Sequence, residues 1–274
     1  RIEDQDKCID CGLCKRCCPS YGYELFELGN SFLGAYKAES NNEKIKGQCT
    51  SGGAITQMLC DAICKGFVDK VTIVRGKKSI DSGLCEYAST FSVEEIIEAA
   101  GSHYVIAPVD KILREIRRSD ERYIVVAPPC ILYGISKAMA FDKKLKNNIR
   151  LKIGFICGYT YEQTCVEGLS KYCGADSDTV KCVKGWREEG FPGNTILKTK
   201  SGDELKIPFA DEHSIDVTFF ANKKCLLCKD CFGDYGDIIA GDLGKGWSER
   251  KTLLFTRSER GQVFLDNYMR GLDI

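Results

Sequence analysis

Four closely spaced cysteines, Cys8-x-x-Cys11-x-x-Cys14-x-x-x-Cys18 followed by Pro19, constrain this chain more than any other feature. Thiols at that spacing make the backbone wrap around one small object and leave amide N–H groups free to bond its sulfurs. The proline then turns the chain away. The pattern is that of a ferredoxin-type [4Fe–4S] run. A four-cysteine zinc site usually splits into two well-separated C-x-x-C knuckles. Cys17 also lies in the run, but only Cys18 has both the three-residue gap and the following proline. In two-cluster ferredoxins the fourth cysteine of such a run ligates the other cluster. Cys18 therefore either closes its own cluster or serves one assembled elsewhere, and the absence of a second complete run favours the first.

Seventeen cysteines in 274 residues raise the question of a disulfide scaffold. Such scaffolds are usually short, secreted and evenly paired. This chain is long, its cysteine count is odd, and Arg1–Lys7 is charged, without the apolar stretch of a signal peptide. Thiols in the reduced cytoplasm, the expected location, more often bind metal. With only two histidines, any zinc site would have to be all-cysteine. Lys plus Arg and Asp plus Glu both number 39, which gives no reason to expect nucleic acid as a partner. No apolar run approaches the length of a membrane span.

Beyond residues 1–28 the pattern alternates between helix and strand. Thr50–Gly66 reads as a helix, with Ile55, Met58, Leu59, Ala62 and Ile63 at helical spacing. Ser92–Ala100, Val109–Ser119, Ile131–Phe141, Tyr161–Tyr172 and Glu259–Met269 are further helical stretches. Lys70–Arg75, Arg122–Ala127, Leu151–Ile156 and Thr252–Thr256 read as strands. Two short strands flank Ser201-Gly202-Asp203, a hairpin signal. The expected fold is α/β (α+β), with a mixed, largely parallel sheet and a small N-terminal ferredoxin-like segment. The division is 1–30 for that segment and 31–274 for the rest.

A second set of cysteines stands at informative places. Cys225-x-x-Cys228-x-x-Cys231 lacks the completing Cys-Pro, Cys130 follows a strand through Pro128 and Pro129, and Cys157 directly follows another. If the two strands are parallel neighbours, their carboxyl ends open on the ligand-binding edge of the sheet. Cys130, Cys157, Cys225 and Cys228 then meet in a second four-thiolate site. The alternative is that Cys130 and Cys157 are small buried apolar residues, the commoner role of a free cysteine. Cys60 and Cys64, four apart on one helix, read as packing. Thr50-Ser51-Gly52-Gly53 opens a helix and suits a phosphate, but serves equally as a plain cap. Gly101-Ser102-His103-Tyr104 is a second small-residue turn. Lys184-Gly185-Trp186 and Gly241-Asp242-Leu243-Gly244 are further turn-like segments.

In this order the segments resemble the coenzyme F420-reducing hydrogenase beta-subunit family, which includes beta subunits of F420-dependent formate dehydrogenases and the plant hydroxymethyl-chlorophyll reductase. The stretches carrying the resemblance are LGAYKAES (33–40), TSGGAITQML (50–59), AAGSHYVIAP (99–108), APPCILYGISK (127–137), IGFICGYTYEQ (153–163), KCLLCKDCFGDYGDIIAGDLG (224–244) and TLLFTRSERG (252–261). The resemblance implies an FAD-binding fold with a [4Fe–4S] cluster on Cys130, Cys157, Cys225 and Cys228. It implies FAD contacts at Thr50, Ser51, Gly52, Gly53, Thr56, Gly101, Ser102, His103 and Tyr104. Cys231 departs from the family, which usually has an aromatic residue there.

The implied function is that of an iron–sulfur flavoprotein oxidoreductase subunit. FAD exchanges a hydride with F420, and two [4Fe–4S] clusters pass single electrons to or from a partner. The partner is another subunit of a hydrogenase, dehydrogenase or reductase complex, or ferredoxin. No side chain need act as an acid or base. Two other classes stay open: a ferredoxin-dependent flavoenzyme that reduces an organic substrate directly, and a non-catalytic electron-wire subunit.

Overall fold

Strand-forming runs and helical periods alternate along the chain, and the central strands are buried between helical layers. The computed structural model describes residues 6, 8–21, 32–190, 192–243, 250–268 and 271–274. Its strands are β1 (Gly34–Ser40), β2 (Lys70–Gly76), β3 (Cys85–Thr90), β4 (Tyr123–Val126), β5 (Ile149–Phe155), β6 (Val180–Glu188), β7 (Asn194–Thr199), β8 (Glu204–Pro208), β9 (Ile238–Asp242), β10 (Thr252–Thr256) and β11 (Leu272–Asp273). Eight of them form one sheet in the order β11-β1-β10-β9-β5-β4-β2-β3, and β6-β7-β8 form a second. The four central strands β2, β4, β5 and β9 are parallel. Antiparallel strands extend them on both sides. The sheet is thus mixed, with its parallel part in the middle.

The run Tyr123-Ile124-Val125-Val126 shows why the centre forms. All four side chains are buried. Ile124 and Val126 enter the core under helix Ala54–Cys64, while Tyr123 and Val125 enter the core under Pro129–Phe141 and its neighbours. Two apolar faces give the continuous β-branched run of a central parallel strand. The helix predicted over Thr50–Gly66 spans Ala54–Cys64. It starts late because Gly53 sits at φ 76°, in the left-handed region that ends a helix. Cys60 lies in the core cluster, whereas Cys64 is exposed.

The hairpin predicted around Ser201-Gly202-Asp203 is β7–β8. It joins β6, where the predicted turn Lys184–Trp186 is instead strand. Its register shifts on both sides of Gly185, so Val183, Gly185 and Glu188 do not keep a regular step. Behind this sheet, helix Cys165–Tyr172 buries Cys165, Val166 and Leu169 against Trp186, Leu197 and Ile207.

The loop before Ala54 lies hard against the sheet. A Cβ on Gly52 would come within 2.6 Å of the Ala38 carbonyl oxygen and 2.7 Å of the Thr252 amide. Gly52→Ala is expected to cost about 1–3 kcal/mol through overpacking. Gly47→Ala is the control, since a Cβ there meets nothing within 4 Å. A lower thermal midpoint for the first variant alone is the expected result.

Candidate functional site

β4 and β5 are parallel neighbours, so their carboxyl ends open on one edge of the sheet. Cys130 lies in the first turn of helix Pro129–Phe141, which leaves β4 through Pro128 as its cap. Past β5, the Ile156 amide donates to the Ala240 carbonyl at 2.7 Å, and the Cys157 amide to the Cys231 carbonyl at 3.0 Å. The Asn222 amide donates to Thr160 at 2.8 Å, and the Glu162 amide to Phe220 at 2.8 Å. These bonds hold the distant segment 220–231 against the chain leaving β5. The Thr160 hydroxyl lies 3.3 Å from the Cys225 sulfur.

The four predicted thiols sense one another electrostatically. Burial first, then the neighbouring charges of Cys130, Cys225 and Cys228, push Cys157 up to about 12. Burial first, then Cys225 and Cys228, push Cys130 up to about 11. Bare thiolates would repel in this place, so the donor set is suited to soft cationic metal that relieves the repulsion. Among the described residues, no three Cys, His, Asp or Glu side chains gather around a single metal-ion position. Cys231 is exposed and contributes its carbonyl to Cys157.

Asp230, two residues after Cys228, has a structural task. Asp230 is 3% exposed and accepts from the amides of Gly233 at 2.6 Å and Asp234 at 3.3 Å. It thereby closes the turn that follows Cys228. Asp237 accepts from the Lys152 amide at 2.8 Å and the Ser258 hydroxyl at 2.7 Å, tying β5 to the start of the last helix.

The head docks beside this edge. Asp10 and Gly12 have φ of 49° and 69°, so the run bends sharply before helix Leu13–Cys17. Cys8, Cys11 and Cys14 are exposed, while Cys17 and Cys18 are half-buried. The chain after that helix lies on Gly134, where a Cβ would meet the Cys17 carbonyl oxygen at 2.9 Å and Pro19 at 3.6 Å. Lys137 donates to the Tyr21 carbonyl at 3.2 Å. Gly134 is one helical turn from Cys130, about 6 Å along the axis at 1.5 Å per residue, so one helix links the head to the second cysteine set. Residues 22–31, the end of the predicted first segment included, lie outside the described residues. Gly134→Val is expected to displace the head; on the expectation that each cysteine set holds a four-iron cluster, it removes about half of the iron. Full iron content in that variant would show that the helix contact does not hold the head.

The two turns expected to contact flavin meet. The Thr50 and Ser102 hydroxyls are 2.8 Å apart. The Ser51 hydroxyl donates to the Lys251 carbonyl at 2.9 Å, and Arg250 donates to the Cys49 carbonyl. Thr56 is half-buried in the first turn of helix Ala54–Cys64. Gly101 has φ 128° and is exposed. Burial pulls His103 down to about 4, so its ring is neutral near pH 7, and it lies against Val74 and Gly76 of β2. The Tyr104 carbonyl accepts from the Tyr161 amide at 2.7 Å. A bonded path thus runs from the Thr50 turn through Ser102 and Tyr104 to Tyr161, Thr160 and Cys225.

Comparison with known families settles what kind of chain carries this path. Residues 35–114 match the N-terminal part of the coenzyme F420 hydrogenase/dehydrogenase beta subunit, and residues 120–273 match its C-terminal part. The chain belongs to this beta-subunit family. Its members are subunits of hydrogenases and dehydrogenases, so the general role is that of an oxidoreductase subunit. Among solved structures, a chain of the F420-reducing [NiFe] hydrogenase complex from Methanosarcina barkeri has the same fold. The TM-score is 0.70 at 18% identity, over 91% of this chain and 84% of the other. A search of curated proteins finds no match. No helix among the described residues is long and apolar enough to cross a membrane.

Three features of this family member escape sequence reasoning. Arg187 is buried at φ 59° and donates to Asp242 at 2.6 Å and to the Pro192 carbonyl at 3.1 Å. It lies next to Trp186, which bridges to Ser102. Nothing local in the sequence marks an arginine for a left-handed conformation. Asp242, read as part of a turn, ends β9 and receives that arginine, while Gly244 lies outside the described residues. Gly134 lies in the APPCILYGISK stretch that carries the family resemblance, but only the fold shows that the head lies on it.

Proposed function

We propose that this beta-subunit family member is the flavin- and iron–sulfur-bearing subunit of an F420-linked oxidoreductase. In this reading, Thr50–Gly53, Thr56 and Gly101–Tyr104 hold FAD. Cys130, Cys157, Cys225 and Cys228 hold one [4Fe–4S] cluster, and Cys8, Cys11, Cys14 and Cys18 hold another. Bound flavin exchanges a hydride with F420 and single electrons with iron–sulfur clusters, which carry one at a time.

The observation that supports this most is the bonded path from Thr50 to Cys225, with Cys130 and the head joined by one helix. The residues along it act by position. The Thr50–Ser102 contact fixes the spacing of the two turns. Gly52 keeps its turn flush against β1 and β10, while Asp230 and Pro128 present Cys228 and Cys130 toward the same edge. The Methanosarcina relative is described within a hydrogenase complex, and this chain is proposed to work beside partner subunits likewise. Anaerobic isolation followed by iron and flavin assay tests the reading. About eight irons, the content of two cubanes, together with bound flavin are expected. Clearly fewer irons, or no flavin absorbance, would overturn it.

A further inference from the structure

The segment that carries Cys225 and Cys228 shows a surface the electron route alone does not require. Between Val217 and Gly233 the only acidic residue is Asp230, and it is buried on the backbone amides that follow it. The three lysines of the same stretch, Lys223, Lys224 and Lys229, are all exposed. Between them Leu226 and Leu227 stand 64% and 83% exposed, and Phe232 is 43% exposed. The chain as a whole has zero formal net charge, so this positive stretch is local rather than a sign of a basic protein. Large apolar side chains held out in water beside charges of one sign mark an interaction surface. Their position is set by the turn Cys225–Leu227, which points two leucines outward while Cys225 is only partly exposed.

We propose that Lys223–Phe232 is the docking surface for a small one-electron carrier protein with an acidic rim. This rests on the iron–sulfur reading of Cys225 and Cys228. Charge complementarity selects the partner. Three exposed cations attract and orient an acidic face at long range, whereas the leucines supply close contact that excludes water. A basic carrier is repelled by the same lysines.

Binding of an oxidised, acidic bacterial ferredoxin to the anaerobic holoprotein, followed by calorimetry, tests this without any electron transfer. Affinity is expected to fall at least about tenfold between low and high salt, because exposed charges are screened. The triple variant Lys223→Glu, Lys224→Glu, Lys229→Glu is expected to bind about tenfold or more weakly. Its iron content and thermal midpoint should match those of the parent. Leu226→Ala with Leu227→Ala is expected to weaken binding while keeping the salt dependence. Cytochrome c, a basic carrier, is expected to bind the parent weakly and the triple variant better. Equal affinity of parent and triple variant for ferredoxin would overturn the proposal. So would a triple variant whose only change is a shifted reduction potential, since its lysines would then merely offset cluster charge. Intact ferredoxin binding without flavin bleaching by reduced F420 would sink the F420 reading and leave the docking surface standing.

Discussion

Replacing Cys157 by serine is expected to remove about four of roughly eight irons from the anaerobically isolated protein. The head cluster and the flavin should remain. The four thiols of this site come from three separate places: the first turn after β4, the end of β5, and the segment 225–228. Cys157 stands at the centre of that arrangement. Its charge interacts with the other three, and its amide holds Cys231. Serine keeps the amide bond and the small size but supplies a hydroxyl that does not ionise near neutral pH. The soft, anionic donor that iron–sulfur groups need is lost. Cys60→Ser is the control. Cys60 lies on the core face of helix Ala54–Cys64, where burial above all pushes its thiol up to about 12, so its replacement should lose stability but no iron. Full iron with an unchanged electron-resonance spectrum in Cys157→Ser would mean that the site is packing, the alternative role for these cysteines.

Stability is expected to fall by several kcal/mol as pH rises from about 4 to about 8, because two carboxyl groups are buried together. Glu212 and Asp216 lie one turn apart, and neither is solvent-exposed. When both are ionised, none of their four oxygens has a donor. Protonating one supplies an O–H that donates to the other. Burial raises Glu212 to about 7, against weaker effects of Asp216 and Arg187 that lower it. Burial, then repulsion from Glu212, raises Asp216 to about 8. In the unfolded chain both ionise near pH 4. Below that pH the two states bind protons equally and the pair has no effect. Between pH 4 and 8 the folded state keeps protons that the unfolded state has released, so raising the pH favours unfolding. Asp216→Asn is expected to flatten this dependence and raise the thermal midpoint at pH 8, at roughly 2–4 °C per kcal/mol. At pH 5 the variant should have little or no advantage over the parent. An unchanged slope in the variant would show that other groups set the pH dependence.

Three of the four parallel strands, β2, β4 and β5, were legible because they are largely buried and read as apolar runs, two of them ending in Pro128-Pro129-Cys130 and Cys157; the fourth, β9, was read in part as a turn because Gly241 and Asp242 end it. The edge strands were not legible. β1 alternates charged and half-buried residues, and β6 breaks its period around Gly185. The cysteine at each strand end was visible, but the approach of segment 220–231 to it depends on backbone bonds across some sixty residues, as from the Asn222 amide to the Thr160 carbonyl. The acid pair was invisible for a different reason. Asp211 and Glu212 suit an exposed first helical turn, where acids are favourable, and only the tertiary fold turns Glu212 and, one turn on, Asp216 inward. Arg187 likewise shows its role only once Asp242 and Ser102 lie beside it.

The most direct measurement is anaerobic rapid mixing of the isolated protein with reduced F420, reduced ferredoxin or NADH, following flavin absorbance and the electron-resonance signal of the clusters. The account predicts bleaching by reduced F420, followed by cluster reduction that Cys157→Ser abolishes in part. Bleaching by ferredoxin alone, or iron without bleaching by any donor, would contradict it.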